Sequence, residues 1–212
     1  MEKSQVQRAV SLQVSKEVFE KTGRIFVPVA ASARHVHLSQ ADVERLFGPG
    51  YQLQKLRDLS QPGQFAAQEQ VTVKGPKGKL ERIRVLGPAR KQTQVEISLT
   101  DSFALGIKPP VRMSGDLAGT PGCTIVGPKG EITVDCGLIA AARHLHLSKE
   151  QAALFGLKDK QVVSLRSQGE RAVTLHNLVV RAGDGHDMEV HLDTDEANAI
   201  CLTPNEMMEV LP

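Results

Sequence analysis

The chain has 212 residues with 26 basic and 24 acidic side chains, a formal charge of +2 and a hydrophobic content of 41%. That balance belongs to a globular protein, with enough chain for one large domain or two small ones. So even a charge, with no Trp, one Tyr and six Phe, excludes a nucleic-acid surface, which needs a basic face and stacking aromatics. No apolar run reaches the roughly 20 residues that span a bilayer. The opening MEKSQVQRAVSLQVSKEVFEKTG lacks the apolar core of a signal peptide. Cys123, Cys136 and Cys201 form no CxxC pair, so the expected compartment is the reducing cytoplasm, with no membrane partner.

The first predicted element is a helix over residues 5–20, where Val6, Val10, Val14 and Val18 recur at i+4 and are expected to pack on the body of the protein. It lies in an N-terminal helical segment, residues 1–23. Next comes ASARHVHLSQADVERLFG (31–48), which recurs as AAARHLHLSKEQAALFG (140–156). Repeats of this length rarely arise by chance in so short a chain. In each copy a serine follows H-x-H-L with a polar residue three positions on, Ser39 with Asp42 and Ser148 with Gln151. That is the pattern of a helix N-cap. Each H-x-H is therefore placed at a strand end, ahead of a short helix closing at Gly48 or Gly156. Segments 69–74, 80–86, 93–99, 161–166, 172–181 and 188–193 alternate apolar and polar residues between glycine-containing turns, as short antiparallel strands do. The expected fold is mainly β with short capping helices: two duplicated small β-barrel domains, 24–123 and 124–212, joined near SGDLAGTPGC (114–123).

The chemistry concentrates on the histidines. Residues i and i+2 of a strand face the same way. His35 with His37, and His144 with His146, can each aim two imidazoles at one cation, and two matched pairs make zinc the favoured occupant. The closing phrases QVEISLTDSFALGI (94–107) and MEVHLDTDEANAI (188–200) offer a third ligand, Glu96 in one half and His191 in the other. Glu189 shares a face with His191 and rivals it. His176 and His186 have no counterparts in the first half and are assigned surface or supporting roles; the unmatched cysteines are set aside. Arg34, Arg90 and Arg143 lie near the ligands, and Lys74, Lys77, Lys79, Arg82 and Arg84 line a hairpin. Guanidinium forks and ammonium charges in such positions suit a phosphorylated ligand. The GPKG loops (75–78, 127–130) precede no helix and are not read as a nucleotide-binding loop.

Several phrases together, VPVAASARHVHLS, GQFAAQEQVTV, VLGPARKQTQVEIS, SGDLAGTPGCTIVGPKG, AAARHLHLS and EVHLDTDEANA, resemble the PduL-type phosphotransacylases, or phosphate propanoyltransferases. The resemblance runs from about residue 24 to the C-terminus. It implies two β-barrels that exchange segments around the H-x-H strands, and a reversible reaction of acyl-CoA (propanoyl- or acetyl-CoA) with phosphate to give acyl phosphate and CoA. It also implies two Zn2+ per chain, one on His35, His37 and Glu96 and one on His144, His146 and His191. Arg90 becomes the phosphate-binding and catalytic arginine. CoA, a substrate rather than a cofactor, would touch Ala31, Ser32, Ala33, Lys77, Arg84 and Asn198. A homodimer, and shell or cargo partners inside a bacterial microcompartment, are what the resemblance adds to the expected cytoplasmic setting.

Acyl transfer from a thioester needs a held nucleophile, a polarised carbonyl and a stabilised thiolate. No serine- or cysteine-based arrangement suggests an acyl-enzyme, so direct attack by phosphate is expected. The rivals are a zinc hydrolase of thioesters or phosphoesters using the same ligands, and a non-catalytic zinc-stabilised binding module.

Overall fold

A computed structural model describes residues 3–212. Among the described residues the elements in chain order are α1 (Lys3–Thr22), β1 (Ile25–Ser32), β2 (His35–His37), α2 (Gln40–Phe47), β3 (Lys55–Asp58), β4 (Phe65–Lys74), β5 (Lys79–Gly87), β6 (Gln94–Glu96), α3 (Leu99–Leu105) and β7 (Val111–Arg112). They continue with β8 (Cys123–Val126), β9 (Glu131–Val134), β10 (Leu138–Ala141), β11 (His144–Leu147), α4 (Lys149–Phe155), β12 (Val162–Arg166), β13 (Thr174–Ala182), β14 (Glu189–Asp193), α5 (Thr194–Ala199) and β15 (Met207–Leu211). The protein is mainly β with short helices, as its alternating segments predict. No helix among the described residues is long and apolar enough to cross a membrane.

The chain divides into two compact units. One holds the chain up to Ser32, Ser60–Pro62 and Ala142–Pro212. Its six strands close into a barrel in the order β1-β14-β11-β13-β12-β15. The inward positions of these strands, including Val27, Leu145, Leu165, Val180, Val190 and Met208, form one buried cluster. Helix α1 belongs to this unit but does not pack as its valines predict. Val6, Val10 and Val14 are 43–56% exposed, while Leu12 and Phe19 pack against the barrel core. Phe19 meets Phe155 edge-on at 5.3 Å between ring centres, and the buried Ser15 hydroxyl donates to the Phe26 carbonyl. Leu and Phe remove more apolar area from water than valine does, and so decide which face turns inward.

The other unit comprises Ala33–Leu59 and Gly63–Ala141. Its nine strands form a half-barrel sheet in the order β7-β10-β6-β2-β5-β4-β8-β9, with β3 paired to β4. Val36, Leu38, Val71, Ile83, Val85, Val95 and Ile125 lie at its buried centre.

Purely antiparallel pairing does not hold in either unit. Strand β2 runs parallel to β5 and antiparallel to β6; strand β11 runs parallel to β13 and antiparallel to β14. Each H-x-H strand is followed by a helix, α2 or α4, and a long excursion before its parallel neighbour, which is the connection that parallel pairing requires. The serines cap as expected. Ser39 accepts from the Asp42 N–H, and Ser148 with Gln151 forms a reciprocal capping box.

Candidate active site

In the half-barrel unit the ladder between β2 and β6 sets His35 opposite Glu96 and His37 opposite Gln94. These four side chains occupy the corners of a rectangle on one face of two strands. His35, His37 and Glu96 are all buried, and each offers a ligand atom within 4.8 Å of the others. The Ala33 carbonyl, which can only accept, takes the Nδ1–H of His35 at 2.8 Å. In the neutral ring the lone pair of His35 is therefore on Nε2; in the protonated ring Nε2–H points to Glu96 Oε2, 3.5 Å away. The two imidazoles meet edge-to-face at 4.9 Å. Nδ1 of His37 is buried and meets no well-aligned partner.

Electrostatics follow from this crowding. Burial alone would raise the carboxyl pKa of Glu96, but the charge and hydrogen bond of His35 outweigh it and hold it far below the usual range. For His35, burial lowers the pKa, and Glu96 more than reverses this to a net rise. His37 falls well below 6.5 through burial, helped by His35 and Arg90. Arg90 donates from Nη1 to Ser114 Oγ at 3.2 Å. Ser114 also accepts from Gln94 Nε2 at 2.9 Å and hydrogen-bonds Glu96. Gln94 Nε2 donates to Glu96 as well, and its Oε1 accepts from the Gly115 N–H at 2.8 Å. An unbroken network thus joins Arg90 to the triad.

In the closed-barrel unit the same frame recurs. The β11/β14 ladder sets His144 opposite His191 and His146 opposite Glu189. His144, His146 and His191 form the second triad within 4.8 Å. The Ala142 carbonyl takes Nδ1–H of His144, and the Nε2 atoms of His144 and His146 lie 3.0 Å apart. Nδ1 of His146 is 3.0 Å from Nδ1 of His186. Burial, then the neighbouring imidazoles, hold His146 well below its ordinary pKa. His186, whose pKa burial and Arg181 lower, thus backs the triad, a contact that histidine counting between the halves does not reveal.

Donor chemistry fits a divalent cation in both places. Two neutral imidazoles with a carboxylate, and three neutral imidazoles, are the ligand sets of open zinc sites. In His35 and His144 the Nδ1–H is tied to a carbonyl, which leaves Nε2 as the ligand nitrogen. Among the remaining candidates, Ala31 and Ser32 end β1, which packs against α5, the helix carrying the exposed Asn198. Ala33 orients His35. Lys77 is exposed in the β4–β5 turn, while Arg84 donates from Nη1 to the Ala67 and Gln68 carbonyls. Arg34 pairs with Asp101 at 2.6 Å and Arg143 with Glu196 at 2.7 Å.

Sequence reading overlooks Gln94 and Ser114 beside the first triad and Ser60 and Gln61 beside the second. Gln94 has a signal, since it sits two residues before Glu96 on one face. Ser60 and Gln61 have none. Helices α3 and α5 also escape period-two reading, although Ser98 with Asp101 and Asp193 with Glu196 cap them.

Buried, converging ionisable groups with an arginine networked to one set are the arrangement expected of a catalytic site. The family model for phosphate propanoyltransferase matches residues 28–203. A phosphate propanoyltransferase of Rhodopseudomonas palustris is 49% identical over 184 residues, covering 87% of this chain and 81% of the relative. Relatives of the same name from Thermotoga maritima (49% over 184 residues, 86% and 88% covered) and Priestia megaterium (52% over 173 residues, 82% and 80% covered) match similarly. The chain belongs to the phosphate propanoyltransferase family and is an acyltransferase enzyme.

Proposed function

We propose that the enzyme interconverts acyl-CoA plus phosphate with acyl phosphate plus CoA, by direct attack of phosphate on the thioester, with one Zn2+ held by His35, His37 and Glu96 and another by His144, His146 and His191. The observation that carries this reading is Arg90, networked through Ser114 to a buried imidazole–carboxylate triad. Zinc bound there would supply Lewis-acid polarisation and positive charge for the developing oxyanion.

The chain's own groups supply the rest. Phosphate is anionic near neutral pH and needs holding more than activation. The guanidinium of Arg90 offers paired donors that match its oxygens. A phosphate oxygen attacks the carbonyl carbon, a C–O bond forms, and collapse of the tetrahedral oxyanion breaks the C–S bond with the electron pair leaving on sulfur as CoA thiolate. Holding both reactants in register can supply about 7–11 kcal/mol of the barrier. Exposed Ala31, Ala33, Lys77 and Asn198, with Ser32 and Arg84, are the proposed CoA contacts. Repeats 24–123 and 124–212 are proposed to derive from one duplicated unit. A cytoplasmic enzyme packaged in a microcompartment through α1 would account for the exposed Val6, Val10 and Val14.

The test mixes pure enzyme with propanoyl-CoA, with and without phosphate, and follows free thiol and acyl phosphate together. Phosphate-dependent thiol release matched by acyl phosphate supports transfer. Thiol release indifferent to phosphate would identify the hydrolase, and none at all the binding module.

A further inference from the structure

The two triads differ at one ligand, and the fourth corner of each rectangle differs with it. Opposite His37 stands Gln94, and its amide donates to Glu96, an anionic ligand that needs a donor behind it. Opposite His146 stands Glu189, whose Oε2 lies 2.7 Å from His191 Nε2. A carboxylate there can only accept, so it takes the Nε2–H of an imidazole, a neutral ligand that needs an acceptor behind it. Each corner is tied to a serine: Gln94 donates to Ser114 at 2.9 Å, and Glu189 accepts from the Ser60 hydroxyl. Ser60 is delivered by a built contact. Gln61, only 2% exposed, clasps both backbone groups of Asp187, donating to its carbonyl at 3.0 Å and accepting its N–H at 3.2 Å. The formal charge is also matched. One carboxylate stands in each rectangle, as ligand Glu96 in one and as Glu189 behind a histidine in the other.

We propose that Glu189 is a positioning residue of the second cation centre, holding the Nε2–H of His191 so that Nδ1 faces the cation and supplying the negative charge that Glu96 supplies to the first. This rests on the two-cation reading above and deepens it. Ser60 fixes the carboxylate, and the corner residues are chosen by ligand type: amide behind carboxylate, carboxylate behind imidazole.

The experiment titrates chelator-stripped full-length protein with Co2+, reading uptake by competition with a chromophoric chelator and ligand set by the cobalt d–d absorption. Wild type should take up two equivalents. E189A should weaken one equivalent by about 10–100-fold, leave the other unchanged, and keep the d–d band positions once saturated. E189Q, nearly isosteric and still able to accept, should recover part of that loss. S60A should give a smaller loss in the same equivalent. Affinities within twofold of wild type in both Glu189 variants would overturn the proposal. So would shifted d–d bands in E189A, which would make Glu189 a direct ligand. Wild type binding fewer than two equivalents would instead overturn the two-cation reading itself.

Discussion

The half-barrel unit and the closed-barrel unit carry the same three-strand frame: an H-x-H strand between one parallel neighbour and one antiparallel neighbour whose residue in register completes the triad. They differ in what surrounds it. The first triad has a carboxylate and the Arg90–Ser114–Gln94 network; the second has three imidazoles backed by His186 and Glu189. The backbone thus fixes where two imidazoles converge, and side chains outside the frame decide what each centre is suited to do. The arginine networked to the carboxylate triad is the reason phosphate is proposed to bind at the first centre.

The sharpest way to break this comparison is to remove one imidazole from each frame. His35→Ala and His144→Ala should each cost one equivalent of cation by metal analysis and lower turnover by about 10²–10³-fold. Equal cation content in either variant would contradict the assignment for that unit. Arg90→Ala should separate the centres, because Ser114 networks it to the first. Losing a charged hydrogen bond worth about 1.5–3 kcal/mol should lower kcat/KM for phosphate by about 10–100-fold and leave both cations bound. Initial-rate kinetics at varied phosphate reads this.

Acid should act on the first centre through His35. Its pKa is raised above 6.5 because Glu96 outweighs burial, so a proton competes with a cation for Nε2 below that raised value. Cation affinity there should fall as pH drops through it and level off above it, which a cobalt titration across pH measures. A flat affinity between pH 5 and 8 would contradict the ion-pair geometry.

Two smaller effects sharpen the contrast in local structure. Ser148→Ala removes a complete capping box and should destabilise the closed-barrel unit by about 1 kcal/mol, measured by denaturant unfolding. Thiol labelling should find Cys201 exposed and reactive. Cys123, buried with its pKa pushed up to about 12, should stay inert until unfolding.

What the sequence shows of this site is what short-range chemistry fixes. The H-x-H strand ends, the Ser39 and Ser148 caps, and the grouping of Glu96 and His191 with the paired histidines follow from period-two faces and the recurring H-x-H phrase. Val6, Val10 and Val14 mislead because spacing within a helix does not reveal which face a larger residue such as Phe19 will claim. Ser114 and Ser60 are invisible for another reason. They reach the triads from loops, through contacts 20 and 129 residues apart in the chain, and no local pattern encodes such distances. The parallel pairings of β2 with β5 and β11 with β13 are non-local in the same way.

Anomalous diffraction at the zinc edge, from crystals of the full chain grown with Zn2+, tests the central claim most directly. Two peaks per chain are predicted, one enclosed by His35, His37 and Glu96 and the other by His144, His146 and His191. A chain with no peak at either triad, or with those imidazoles turned away from the bound ions, would contradict it.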